Sequence, residues 1–149
     1  MKKRYFNSVL SILLLFFFFS FGQQIKHLGV YDGIRSGAVR TFEKDTLGYM
    51  WIGTSQGLNR YSGYEFKNYN SQATTNGVVD IIRKNEYLFV LGAKGDLLQY
   101  LYEQDSFKTV LSLKDLNFLC FELVNNDTLI IGLQYGLLTY NFKTKETSE

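Results

Sequence analysis

The stretch Tyr49-Met50-Trp51-Ile52-Gly53-Thr54-Ser55-Gln56-Gly57-Leu58-Asn59-Arg60-Tyr61 decides the fold, because most of it recurs twice downstream. WIGTSQGLNRY at 51–61 aligns without a gap on VLGAKGDLLQY at 90–100 and on IIGLQYGLLTY at 130–140. The copies are spaced by 39 and 40 residues, and each keeps a Gly (Gly53, Gly92, Gly132), a Leu (Leu58, Leu97, Leu137) and a Tyr (Tyr61, Tyr100, Tyr140). A fixed period of this size marks a stacked-repeat architecture.

Each repeat reads as short strands joined by tight turns. In the first, Val39 to Lys44 alternates, Asp45-Thr46-Leu47-Gly48 turns the chain, and Tyr49 to Thr54 is a continuous apolar strand of the kind buried on both faces. Ser55-Gln56-Gly57 turns it again, Leu58 to Tyr61 returns, and Ser62-Gly63 is a two-residue hairpin signal before Tyr64 to Tyr69. The second repeat lays strands at Val78 to Arg83, Tyr87 to Ala93, Leu97 to Tyr102 and Phe107 to Leu111. The third gives Phe118 to Val124, Thr128 to Leu133 and Leu137 to Phe142, with Gln134-Tyr135-Gly136 as a turn, and the sequence ends at Glu149 as a fourth strand is due. Four-stranded meanders at a period of about 40 are the blades of a β-propeller. The expected fold is therefore all-β, a partial propeller with blades at about 39–70, 78–112 and 118–149, two complete and the third truncated. Residues 23–38 form a lead-in, with a strand expected at Ile25 to Leu28 and a turn-rich loop after it.

The first 22 residues differ in kind from the rest. Lys2, Lys3 and Arg4 precede an apolar run from Val9 to Phe21, and Ser20-Phe21-Gly22 offers a small-x-small cleavage site, the layout of a secretory signal peptide. A membrane anchor is the rival reading, but the run is shorter than the roughly 20 residues that span a bilayer. Loss of this leader would leave thirteen basic and fourteen acidic residues. So even a balance implies neither a nucleic acid nor a strongly charged ligand.

Asp45 and Gly48-Tyr49-Met50-Trp51-Ile52-Gly53-Thr54, followed by Gly57-Leu58-Asn59-Arg60-Tyr61, resemble the two-component regulator propeller repeat. Leu28, Asp32-Gly33-Ile34 and Val39 resemble the lead-in of such domains. In the second repeat Val90 stands for Trp51, Ala93 for Thr54, and the glycine moves one place to Gly95; in the third, Ile130 and Leu133 stand for Trp51 and Thr54. A different turn geometry is therefore expected in the second blade. The resemblance implies the extracytoplasmic sensor region of a bacterial histidine kinase or hybrid two-component regulator, many of which respond to polysaccharide breakdown products. It implies further blades and signalling domains as partners, with the membrane reached only through a downstream segment or an uncleaved leader.

No catalytic, cofactor or metal constellation accompanies the repeat, and the residues it singles out (Asp45, Gly48, Trp51, Gly53, Thr54, Gly57, Leu58, Tyr61, Gly92, Leu97, Tyr100, Gly132, Gly136, Leu137, Tyr140) are structural types. Trp51 could stack on a sugar, but its place in an apolar strand favours packing between blades. Asp45 could bind a cation, but turn bonding explains it without one. His27 is the only histidine and has no partner motif, and Cys120, the only cysteine, is expected to be a small buried residue. Tyr64, Phe66 and Tyr69, on an outer strand, are expected to be partly exposed.

The leading expectation is a non-enzymatic, extracytoplasmic ligand-binding sensor module, an N-terminal piece whose ligand is an oligosaccharide or other small molecule. The alternative is a secreted structural or protein-interaction propeller fragment. A secreted propeller lyase or glycosidase would need paired acid/base residues, and the visible blades offer no convincing pair.

Overall fold

The computed structural model describes residues 25–35, 38–69, 74–113 and 118–148. The expected signal peptide lies outside the described residues. Twelve strands form three four-stranded antiparallel sheets, each in sequential order. The first blade holds β1 (Val39–Lys44), β2 (Met50–Thr54), β3 (Gly57–Tyr61) and β4 (Phe66–Tyr69). The second holds β5 (Val78–Lys84), β6 (Tyr87–Gly92), β7 (Asp96–Leu101) and β8 (Ser106–Ser112). The third holds β9 (Phe118–Leu123), β10 (Thr128–Leu133), β11 (Gly136–Asn141) and β12 (Glu146–Ser148). The first strands β1, β5 and β9 lie beside one another, as the inner strands of successive propeller blades do.

Because side chains alternate along a strand, each blade offers one face to the blade before it and one to the blade after. Two apolar cores fill the two seams. Trp51, Leu58 and Tyr69 meet Val78, Ile81, Leu88, Val90, Leu98 and Tyr100 in the first. Phe89, Leu91 and Leu97 meet Phe121, Leu123, Leu129, Ile131, Leu138 and Tyr140 in the second. Gly53 leaves room at the first seam: a Cβ there would lie 2.7 Å from both Thr41 Cγ2 of its own blade and Val78 Cγ1 of the next.

Four expectations need correction. The lead-in strand at Ile25 to Leu28 is absent; a 3-10 turn at Val30–Asp32 follows irregular chain. The lead-in instead lies on the outer face of blade one, where Arg35 N–H donates to Asn59 Oδ1 at 3.0 Å and Ile34 is buried. The hairpin at Ser62-Gly63 is a four-residue loop, closed by Ser62 N–H to Glu65 O at 3.1 Å between the paired Tyr61 and Phe66. The third blade does have a fourth strand, since β12 pairs Thr139 with Ser148 and Asn141 with Glu146. Cys120 is exposed, because it points to the face of β9 opposite Phe121, away from the second seam.

The gapless alignment also conceals a shift in register. In blade one Gly53 pairs with Leu58 and Trp51 with Arg60; in blade two Leu91 pairs with Leu97 and Phe89 with Gln99. The structural counterpart of Trp51 is therefore Phe89, not Val90, and Gly53 corresponds to Leu91 rather than Gly92. Blade two has one residue fewer before β6, at Asn85-Glu86 against Thr46-Leu47-Gly48, and one more after it, at Ala93-Lys94-Gly95 against Ser55-Gln56. Gly95 carries the left-handed conformation of this longer turn, φ +82°. The third blade keeps the register of the first, with Gly132 paired to Leu137.

Candidate functional site: the seams between blades

The first seam is organised by Trp51 and Asp45. Trp51 is fully buried and meets Tyr69 of its own blade and Tyr100 and Phe107 of the next, at ring-centroid distances of 5.0, 4.7 and 5.5 Å. Packing between blades is thus its role here, and the sugar-stacking alternative loses its exposed ring face. Asp45 is also buried; its Oδ1 accepts the N–H groups of Leu47 at 3.0 Å and Tyr49 at 2.9 Å. Its Oδ2 accepts Trp51 Nε1–H at 2.8 Å, which the sequence reading missed. The turn carboxylate and the seam tryptophan are one unit. Their spacing of six residues across a tight turn was the available signal.

Towards the outer side of the same seam, Asp105 gathers four donors. Its last-turn position follows a 3-10 turn at Tyr102–Gln104, and its backbone is left-handed. Arg60 Nη1 reaches Asp105 Oδ1 at 2.9 Å, Tyr100 donates to the same oxygen at 2.5 Å, and Tyr69 and Lys67 donate to Asp105 as well. Arg60 also lies over the Tyr49 ring at 4.3 Å. Burial works to raise the Asp105 carboxyl, but the bonds from Lys67, Tyr100 and Tyr69 and the Arg60 charge outweigh it and hold the group well below the usual carboxylate range. Burial first, and then the bond to Asp105, push Tyr69 far above an ordinary phenol and Tyr100 up to about 12. Tyr69 is buried in this seam, against the expectation that it lies partly exposed; Tyr64 is fully exposed and Phe66 stacks on Tyr61 at 4.6 Å.

At the equivalent place in the second seam a cleft of about 400 Å³ opens instead. Tyr87, Gln99, Lys108, Tyr140, Lys143 and Lys145 line it. Tyr140 turns its hydroxyl to Val110 O at 2.8 Å, and Lys143 pairs with Asp127 at 2.7 Å.

The remaining repeat residues stand in turns, strands and core. Gly48 N–H closes the Asp45 turn at 3.3 Å, Thr54 Oγ1 donates to Gly57 O at 3.0 Å, and Leu58 and Leu97 are core. Tyr61 caps its own loop through Gly63 O at 2.6 Å. Gly92 ends β6 opposite Val78, and Gly136 opens β11 opposite Leu133. Gly132 lies under Cys120, whose Sγ is 2.8 Å from where a Cβ would stand. Leu137 is 63% exposed, on the outward face of the third blade. Among the described residues no group of three His, Cys, Asp or Glu side chains is placed to hold a metal, and no helix is long and apolar enough to cross a membrane.

No family model matches the chain. Over 40 residues, 27% of the chain, it is 40% identical to histidine kinase P4 of Formosa agariphila, of which this stretch covers 3%. Its fold is that of the extracellular domain of BT3049 from B. thetaiotaomicron, described as a hybrid two-component system, with a TM-score of 0.71, 20% identity and 83% of the chain covered. The extracellular domain of BT4673 from the same organism, also described as a hybrid two-component system, matches 85% of the chain with a TM-score of 0.67 and 25% identity. The chain spans 20% and 17% of those two solved domains.

Proposed function

We propose that this chain, similar in its blades to the extracellular domains of two-component systems and in one stretch to a histidine kinase, is an extracytoplasmic ligand-binding module of a two-component signalling protein. The observation that carries this reading is the blade fold shared with BT4673 over 85% of the chain. In this role the module binds and does not catalyse, a carbohydrate is the candidate ligand, and the chain is one part of a larger propeller. The outward face of the third blade supports the last point: Leu137 is 63% exposed there, in the manner of a surface that another blade covers. The sequence's leader supports an extracytoplasmic location.

The test has two arms. Fused ahead of a phosphatase active only outside the cytoplasm, the chain with its leader is expected to give an active reporter; an inactive but stable fusion refutes the location. A panel of oligosaccharides is expected to contain at least one member that raises the melting temperature of the protein; no shift for any member counts against a sugar ligand.

A further inference from the structure

The two seams are built on one plan, and the difference between them points to a ligand. Gln99, in its pairing with Phe89 and Lys108, holds the place that Arg60 holds between Trp51 and Lys67. Lys108 thus corresponds to Lys67, and Tyr140 to Tyr100. The loops before the fourth strands of blades two and three, at 102–105 and 142–145, are both four residues long and both end in a left-handed residue, Asp105 with φ 45° and Lys145 with φ 64°. The position that supplies a carboxylate in the first seam therefore supplies an ammonium group in the second.

That exchange reverses the electrostatics of the seam. In the first, cations and phenols close on an internal carboxylate and fill the space. In the second, Lys108 and Lys145 flank a cleft with no carboxylate in its lining among the described residues, and neither makes an ion pair among them. Lys143 is already balanced by Asp127. Tyr87, 5.5 Å from Phe142 between ring centroids, gives the cleft an aromatic wall. A volume of about 400 Å³ suits a ligand the size of a single sugar ring.

We propose that the cleft between the second and third blades binds a carboxylate-bearing ligand with a flat apolar face, its carboxylate taken by Lys108 and Lys145 and its ring set against Tyr87. The first seam shows what the geometry accepts, since Asp105 is a carboxylate held there by Lys67 and Tyr100, the counterparts of Lys108 and Tyr140. Facing charges of one sign focus the field in a cleft and draw in an anion, and the aromatic wall selects one with an apolar face.

Glucuronate and glucose, alike except for the carboxylate, are the probes, titrated calorimetrically into the full chain. Glucuronate is expected to bind with a Kd of about 1 mM, weakening as salt is raised, and glucose at least tenfold more weakly. The K108A/K145A double variant is expected to lose glucuronate binding by tenfold or more while melting as the parent does, since both side chains are exposed. A second variant, Q99R/K145D, rebuilds the first seam's internal lock; it is expected to abolish glucuronate binding and to raise the melting temperature. Equal binding of the two sugars, no binding of glucuronate, or undiminished binding by K108A/K145A overturns the proposal. It goes beyond the sensor reading and fails separately from it, because an active export reporter would survive the loss of this site.

Discussion

Removing the Asp45 carboxylate tests whether turn and seam are one unit. In Asp45→Ala three hydrogen bonds to a charged acceptor are lost. The Trp51 indole N–H is fully buried, so its loss costs a bond to a charged group and leaves a donor without a partner, about 2 kcal/mol. The Leu47 and Tyr49 amides lie at a partly exposed turn that water can reach, so about 1 kcal/mol each is expected there. The sum is about 4 kcal/mol, a large share of the roughly 5–15 kcal/mol available to a domain. At a urea dependence of about 2 kcal/mol/M, the unfolding midpoint falls by about 2 M. Asp45→Asn keeps an oxygen for the two amides but turns an NH₂ towards the indole, so it costs about 2 kcal/mol. In the W51F background that donor-on-donor clash is gone, and the same substitution is expected to cost about 1.5–2 kcal/mol less, a coupling read from the double-mutant cycle. Urea titrations followed by far-UV circular dichroism measure all five proteins, the parent, D45A, D45N, W51F and D45N/W51F. A cost below about 1 kcal/mol for D45A, or equal costs of D45N in both backgrounds, would refute the coupling of turn to seam.

Phe89→Ala is expected to destabilise by about 3–5 kcal/mol, as loss of a buried aromatic does, whereas Val90→Ala costs less and acts on the other seam; denaturant titration checks both. The depressed Asp105 carboxyl contributes stability that is fully present above the ordinary carboxylate value near pH 4 and lost as pH falls through its lower folded value. Because Asp105 is 39% exposed, solvent screening holds this to about 1 kcal/mol, and Asp105→Asn is expected to flatten the acid limb of the stability–pH curve. Tyr100, raised from 10.0 to about 12, adds stability below pH 10 that is lost as pH rises through 12; its tyrosinate absorbance is expected to appear late and earlier in D105N. Cys120, being exposed, is expected to take one maleimide in the native protein without denaturant, and a thiol that reacts only on unfolding would contradict its placement.

The blade plan was legible because its signals are local. Alternation in Val39 to Lys44, the apolar run before Gly53 and glycine-bearing turns each dictate strand or turn within a few residues. Trp51 as seam packing followed from the same logic. Cys120 and Tyr69 were misplaced because which face of a strand is covered depends on a neighbouring sheet, a non-local fact. Ile25 to Leu28 looks like a strand by composition, but strand formation needs a partner edge, and the lead-in finds its place by laying Ile34 and Arg35 against blade one. The Asp105 cluster was invisible for a related reason: Arg60 and Asp105 are 45 residues apart and in different repeats.

The register of the second blade explains why apparent repetition and structural equivalence differ. A residue lost before β6 and another gained after it cancel, so Leu58 and Leu97 remain 39 residues apart while the strand between them slides by one. A slide of one position exchanges the faces of a strand. Had the alignment Trp51 to Val90 held in space, Val90 would point to the third blade; it points to the first, and Phe89 takes the large-aromatic role in the second seam. The loops are therefore where the blades differ in kind: the strands keep the seams apolar, while single-residue changes in the turns set which side chain faces which neighbour. The same reasoning covers Asp105 and Lys145, equivalent turn-end residues of opposite charge. What one seam keeps for its own cohesion, the other leaves open to a ligand.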